Sequence, residues 1–380
     1  MKTRALSVFA AGILLAMSIE LRAEEHSTET KNWQAFALQD LAYIQQMLIE
    51  NHPGFYNNED TDFQHVLYNE YDQAVQKSQL VRTKQEYQTV IQTYAKKFDD
   101  IHLSVTFADK QQRSRKQNAK KASFTIQQLL PQVPWITLPH FEPHGEEIAA
   151  LNHLVEQARS WRNDKAIIFD VRGNGGGNSV WAEKIVAALF SQDYFTEKRH
   201  AVTSNVSVHW RCSIDNINHI ENLIPEFKQQ YGESSQAYAW IHNLHQNMVA
   251  AQKNGLTYFV MTQESKPPCV QGSKNPVKAK IILIIDGACA SACLDFIDCL
   301  KAMDHPLCLV GQTTQADSVY MELRTVALPS GTAQLQFPIK MYRNRMRGNK
   351  QPYVPDITYM HDLRDTQTLK DWIIKEVVIH

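Results

Sequence analysis

The chain has 380 residues, of which 43% are hydrophobic and 21% charged, and its 39 basic residues nearly balance 40 acidic ones. This composition is typical of a globular protein and excludes a disordered, collagen-like or coiled-coil chain. The balanced charge gives no overall field that would recruit nucleic acid or an anionic membrane, so we expect no nucleic-acid partner.

The N-terminus has the pattern of an export signal. Lys2 and Arg4 precede an apolar stretch from Ala5 to Ile19, and Ala23 provides a small residue at the expected cleavage site. We therefore expect a signal peptide over residues 1–23 and a periplasmic or secreted mature protein without a stable membrane anchor. An N-terminal anchor that is not cleaved is the alternative interpretation.

Residues 24–108 are predicted to form an N-terminal helical domain, because apolar residues recur there at helical spacing. The pair Pro53-Gly54 should end the first helix, and Thr83 begins a sequence that resembles a capping box. The alternating run His102–Phe107 predicts a strand at the end of this domain.

From residue 122 to residue 380 the pattern is that of an α/β domain. Ala166–Val171 and Lys280–Ile285 are continuous apolar runs, which predict buried strands, and Val180–Phe190 predicts a helix between them. An insertion at about 195–276 separates the two strands and carries a helical centre, and it could serve as a lid or as a wall of the substrate site.

All six cysteines lie between Cys212 and Cys308, which makes disulfides plausible in an exported chain. Six cysteines allow 15 pairings. We expect Cys212 to pair with Cys269 and Cys299 with Cys308. A zinc site is the alternative, but no Cys-x-x-Cys spacing supports it. His242-x-x-His245 has the helical spacing of two metal ligands, but no third ligand is placed with it. We therefore expect no metal and no other cofactor.

Two strand-to-helix turns carry the chemical signal. The first runs from Asp170 to Asn178 and contains four glycines, so that backbone N–H groups can converge on an anion or a developing oxyanion. A dinucleotide-binding loop is a weak alternative, because Asn178 occupies the place of its third glycine. A tight turn without a ligand is the simplest interpretation of this loop alone.

The second turn, Asp286–Leu294, presents Ser291 among small residues where a helix is predicted to begin. A serine at this place commonly caps the helix by accepting a hydrogen bond from its backbone. It could instead be a nucleophile that uses the helix N-terminus to stabilise charge during acyl transfer. This turn alone leaves both roles open.

Five motifs in order extend these signals beyond either turn. The glycine turn and the Ser291 turn are followed by Val310-Gly311-x-x-Thr314, by Leu328-Pro329-Ser330-Gly331 and by Tyr353-x-Pro355-Asp356-Ile357. Together they resemble the tail-specific, or carboxyl-terminal processing, serine protease family, in its tricorn-core-like branch without a PDZ domain. Asn51-His52-Pro53 and Asp100-Ile101-His102 resemble the N-terminal region of that family.

The resemblance implies a crotonase-like (ClpP/crotonase) catalytic core behind the helical domain, and a peptide or protein substrate. Carried over, Ser291 is the nucleophile, and the oxyanion hole is formed by the N–H of Ala292 with that of one glycine, Gly175 or Gly176. Two glycine-permissive turns at the carboxyl ends of strands can face one pocket, which agrees with this assignment.

The chain departs from the family pattern at the base. Asp317 occupies the place of the lysine that processing proteases use, so a Ser-Lys dyad is not expected. The resemblance to the tricorn-like branch makes His102 the general base, and its ordinary pKa suits that role. Asn349-Lys350-Gln351-Pro352 occupies the place of the glutamate of that branch, so Asp100 is the candidate to orient His102, unless it binds the backbone instead.

These observations predict an exported serine-type peptidase that forms an acyl-enzyme on Ser291. The alternative is a catalytically inactive peptide- or lipid-binding protein on the same scaffold, in which Ser291 only caps a helix. Acyl-thioester chemistry on a crotonase-like core is disfavoured by export, because coenzyme A is cytosolic. The sequence leaves self-association into a homo-oligomer open.

Overall fold

The computed structural model of the chain describes residues 32–108, 123–262 and 272–378. The expected signal peptide and Cys269 lie outside these ranges. Among the described residues, no helix combines the length and the apolar character needed to cross a bilayer.

The N-terminal region is helical, as the apolar spacing predicts. Its first helix ends at Asn51, just before Pro53, which cannot donate a backbone hydrogen bond. The predicted capping box is present, because the Thr83 side chain accepts from the Glu86 N–H and the Glu86 side chain accepts from the Thr83 N–H. The helices are α1 (Trp33–Asn51), α2 (Thr61–His65), α3 (Tyr71–Ser78) and α4 (Lys84–Lys96), with a 3-10 turn at Pro53–Tyr56 and a π-helical turn at Val66–Glu70.

A six-stranded, mostly parallel sheet forms the centre of the α/β region. The two predicted strands are adjacent in it and buried on both faces, which explains their continuous apolar sequences. The strands are β2 (Thr125–Leu130), β3 (Val133–Thr137), β4 (Ala166–Asp170), β7 (Lys280–Ile285), β8 (Leu307–Gly311) and β11 (Ile357–Thr358). Their order in the sheet is β11-β8-β7-β4-β3-β2, and of these described strands only β2 runs antiparallel to its neighbour.

Helices cover both faces of this sheet. One face packs against the helices that follow the two glycine- and serine-containing turns, and the other packs against the C-terminal helix. Asp356 ties the last strand to the sheet, because its carboxylate and its backbone N–H both bond the backbone of Leu309. The helices are α5 (Glu146–Ala158), α6 (Ser179–Phe190), α7 (Gln192–Thr203), α10 (Ala292–Ala302) and α11 (Thr366–Ile373), with a 3-10 turn at Arg159–Asn163 and a π-helical turn at Ile374–Val378.

A second, antiparallel sheet joins the N-terminal region to the insertion. Its long strand β10 (Ala333–Arg343) pairs with β9 (Tyr320–Ala327), with β1 (Ser104–Phe107) and with β5 (Ser207–Arg211), and β6 (Tyr258–Thr262) pairs with β5. The predicted strand at residues 102–107 is therefore shorter than expected, and His102 lies in the turn before it. The helical centre of the insertion consists of α8 (Ile214–Tyr231) and α9 (Gln236–Lys253), which share one hydrophobic core with the N-terminal helices.

The fold brings the two chemically important turns to the same edge of the central sheet. Strands β4 and β7 are parallel neighbours, and each is followed by a turn that leads into a helix. The carboxyl ends of parallel strands are the usual place for a ligand in an α/β sheet.

Candidate active site

Ser291 lies between β7 and α10 in an unusual backbone conformation. Its φ is 54° and its ψ is −121°, a region that residues other than glycine rarely adopt and that costs about 1–3 kcal/mol. Although Ser291 holds the N-cap position of α10, its side chain makes no capping hydrogen bond. The hydroxyl is therefore not used as a helix cap, and the turn instead has the strained strand-to-helix form that exposes a nucleophile.

A disulfide brackets this serine. Cys289 and Cys293 are bonded to each other, and both are fully buried. The predicted pairing of Cys299 with Cys308 is wrong, because both carry free thiols. Cys212 is also a free, buried thiol, while its expected partner lies outside the described residues. The sequence could not show the observed pair, because residues four apart meet in this way only if the turn between them is sharp.

The glycine turn packs directly against the Ser291 turn. Gly176 has φ 102°, and a Cβ placed on it would lie 2.8 Å from Ser291 Cβ and 2.9 Å from Ala292 N. Only glycine allows this approach, because no real Cβ has such contacts. The N–H of Ala290 also donates to the backbone oxygen of Asn174, at 3.2 Å. The expectation that the two turns face one site thus has a direct physical basis.

The two candidate glycines differ in what their N–H groups do. The Gly176 N–H donates to the Asn174 side-chain oxygen at 2.9 Å, so it is already engaged. The N–H groups of Gly175 and Ala292 have no hydrogen-bond acceptor within the described ranges. Of the two glycines that the sequence left open, Gly175 is the one whose N–H remains available to a substrate oxygen.

His102 and Asp100 form a buried pair in the turn that precedes β1. Asp100 Oδ1 accepts the His102 backbone N–H at 2.9 Å and lies 3.5 Å from His102 Nδ1. Both roles considered for Asp100 are therefore combined in one oxygen, which binds the backbone and faces the ring. Burial raises the pKa of Asp100, but the backbone N–H and the nearby ring of His102 outweigh it and hold that pKa below its usual value.

In the described part of the chain, no hydrogen bond joins His102 to Ser291, and neither ring nitrogen of His102 has a hydrogen-bond partner. Within the described residues, the Asp100 carboxylate thus faces Nδ1 of His102, and Nε2 makes no hydrogen bond to Ser291.

Residues 315–318, which lead into β9, connect the Ser291 turn with the surroundings of Asp100. The N–H of Gln315 donates to the Cys289 oxygen, beside the nucleophile turn. Ser318, three residues further on, lines a cavity of about 240 Å³ together with Asp100 and Tyr320. Ser291 does not line this cavity, which lies on the Asp100 side.

Asp317, at the place of the lysine base in processing proteases, is a structural residue here. It is fully buried, and its carboxylate accepts hydrogen bonds from Arg345 and Arg347 at 3.0–3.1 Å. Arg347 also binds Asp298 on α10, the helix that follows Ser291. A carboxylate saturated by two guanidinium groups cannot serve as a base, and the cluster anchors α10 instead.

The stretch at the place of the missing glutamate also has structural roles. The Asn349 side-chain oxygen accepts the Val319 N–H, and Lys350 Nζ donates to the Phe98 backbone oxygen. The backbone N–H of Lys350 donates to the oxygen of Asp317. These bonds link the turn that carries His102 to the buried arginine cluster.

Comparison with known proteins identifies the family. The model of peptidase family S41 matches residues 132–359, which is more than half of the chain. No curated protein matches the sequence. The fold resembles that of a CPAF mutant, with a TM-score of 0.57 and 11% identity over 90% of this chain and 97% of the other. Mature CPAF in complex with lactacystin gives a TM-score of 0.55 and 12% identity, over 86% and 94% of the two chains.

At these identities the solved structures show the shared fold alone, and this fold has the predicted crotonase-like α/β core with a helical N-terminal region. The family match covers both turns and the motifs that follow them. The chain therefore belongs to peptidase family S41 and is a serine peptidase.

Proposed function

We propose that this peptidase hydrolyses peptide bonds through an acyl-enzyme on Ser291, with His102 as the general base and Asp100 as the group that orients it. The observation that carries the proposal is the conformation of Ser291, which is strained, uncapped and pressed against Gly176 at the start of α10. Strain of this kind persists where function requires it.

The position of Asp100 supports distinct roles for the two ring nitrogens of His102. A proton on Nδ1 faces the Asp100 carboxylate, which leaves the lone pair of Nε2 to take the hydroxyl proton of Ser291. Oγ then attacks the substrate carbonyl, and the new oxyanion is stabilised by the N–H groups of Ala292 and Gly175. The protonated His102 returns its proton to the leaving amine, and a water activated by the same nitrogen hydrolyses the acyl-enzyme.

Export is a second part of the proposal. It is supported by the sequence pattern of residues 1–23 and by the disulfide beside the nucleophile, since disulfides persist in oxidising compartments. The mature enzyme would then act on peptides or proteins in the periplasm or outside the cell.

A catalytically inactive binding protein is the second candidate. The observation that favours it is the lack of a hydrogen bond between Ser291 and His102 within the described residues. In that case the two turns would hold a peptide or lipid without cleaving it.

Proteolysis assays with matched variants separate the two. We expect mature protein to cleave an unfolded protein substrate such as reduced casein, and we expect Ser291→Ala and His102→Ala to abolish cleavage without a change in folding. His153→Ala, at an exposed position on α5, is the control and should retain full activity. Wild-type protein that binds the substrate but leaves it intact would support the binding protein.

A further inference from the structure

The N-terminal region contains a second buried histidine besides His102. His52 is fully buried in the turn between α1 and the 3-10 turn at Pro53–Tyr56. Its ring stacks on Phe63, with ring centres 4.5 Å apart, and meets Tyr320 edge-on at 4.8 Å. This packing fixes the plane in which the two ring nitrogens of His52 lie.

The hydrogen bonds of His52 determine where its proton resides. The Gly54 N–H donates to His52 Nδ1 at 2.9 Å, so Nδ1 carries a lone pair. Burial lowers the pKa of His52 to about 3, against the opposing charge of Asp100, and the ring is therefore neutral. A neutral imidazole has one N–H, and here it must be at Nε2.

That N–H is a buried donor, and His52 Nε2 has no hydrogen-bond partner in the described ranges; the same is true of the buried acceptor Asp100 Oδ2. Phe63 and Tyr320, the two rings that pack on His52, line a cavity of about 240 Å³ together with Asp100. Each of the two side chains also affects the pKa of the other. Two unmade buried hydrogen bonds are costly, and one water that accepts from His52 Nε2 and donates to Asp100 Oδ2 would satisfy both.

We infer that His52 is a positioning residue whose Nε2–H is linked to Asp100 Oδ2 across one water, and so holds the carboxylate that orients His102. Asp100 then has one oxygen on each side, with Oδ1 toward His102 and Oδ2 toward His52. The inference rests on the proposed function, because it assumes that His102 is the base.

Two substitutions at His52 separate positioning from simple packing. His52→Asn places a side-chain oxygen where Nδ1 was and can keep the bond from Gly54, but it has no donor that reaches Asp100. His52→Gln extends to the place of Nε2 and can donate to Asp100, but it loses the bond from Gly54. Both variants lose the aromatic stacking, so their effects on packing are matched.

The rate constant for fluorophosphonate labelling of Ser291 is the measurement. We expect His52→Asn to lower it about tenfold, as is typical of coupled neighbours, and His52→Gln to retain most of it. In an Asp100→Asn background, His52→Asn should cause little further loss, because the group it acts through is already changed. Equal losses in the two His52 variants, or full additivity with Asp100→Asn, would show that His52 only packs.

Wild-type protein offers a measurement that does not depend on the folding of any His52 variant. In ¹⁵N-histidine NMR spectra, His52 should show a protonated Nε2 and an unprotonated Nδ1, and Asp100→Asn should shift the Nε2–H resonance. An unprotonated Nε2, or a resonance that Asp100→Asn leaves in place, would overturn the inference.

The same labelling series tells a failure of the inference from a failure of the proposed function. If His102→Ala is labelled as fast as wild type, His102 is not the base, and the proposed function fails. If His102→Ala is unreactive while His52→Asn reacts like wild type, only the inference about His52 fails.

Discussion

Removal of the Cys289–Cys293 disulfide should slow catalysis while lowering the stability of the protein only modestly. The bond joins residues four apart in sequence, and loop-closure entropy for so short a loop is worth about 2 kcal/mol. In a chain of this length that corresponds to a fall in Tm of about 3 °C. Ser291 lies midway between the two cysteines in a conformation that costs about 1–3 kcal/mol, so losing the bond frees the turn to relax.

We therefore expect the double variant Cys289→Ala with Cys293→Ala to remain folded and to label with fluorophosphonate at least about tenfold more slowly, the equivalent of about 1.4 kcal/mol. Cys299→Ala is the control. Cys299 lies on α10, as Cys293 does, and the substitution removes a buried sulfur without removing a cross-link. Labelling at the wild-type rate in the double variant, or an equal loss in Cys299→Ala, would refute the view that the disulfide holds the nucleophile.

Three further predictions concern other parts of the account. Gly176→Ala should abolish labelling, because its Cβ would clash at 2.8 Å, whereas Gly175→Ala meets nothing within 4 Å and should leave the fold intact by circular dichroism. Because the folded pKa of Asp100 is lowered, its contribution to stability is present above the unfolded pKa of about 3.9 and is lost as the pH falls toward the folded value. Asp100→Asn should therefore reduce the loss of Tm in acid, and an unchanged acid profile would contradict the shift. Arg347→Met removes an ion-pair partner from the buried carboxylates of Asp317 and Asp298 and should cost about 3–5 kcal/mol in urea unfolding, while Arg364→Met, at an exposed pair, should leave the urea midpoint unchanged.

The elements that sequence could predict are those whose signal is local. The strands β4 and β7 are buried on both faces, so their residues are apolar except for Asp170 at the end of β4 and Lys280 at the start of β7. The capping box at Thr83 needs only two side chains three residues apart.

The second sheet has no such local signal. Strand β10 pairs with three partners, at residues 104–107, 207–210 and 320–327, and these pairings depend on contacts far apart in the chain. Sequence patterns also placed His102 in a strand, because alternation does not show that Asp100 closes a turn with its backbone.

The sequence predicts which residues form the candidate site but not the hydrogen bonds between them. Motif order indicated the nucleophile, the glycine turn and His102. It could not show that the Gly176 N–H is occupied by Asn174, since this depends on the orientation of one amide side chain. Nor could it assign a role to His52, whose only signal was its place in the Asn51-His52-Pro53 motif.

Covalent labelling tests the central claim most directly. Mature protein with its disulfide intact would be treated with a fluorophosphonate and analysed by intact mass and peptide mapping, with Ser291→Ala and His102→Ala alongside. The account predicts a single adduct on Ser291 that is absent from both variants, because only an activated serine reacts. A folded wild-type protein without an adduct, or an adduct that persists in His102→Ala, would contradict it.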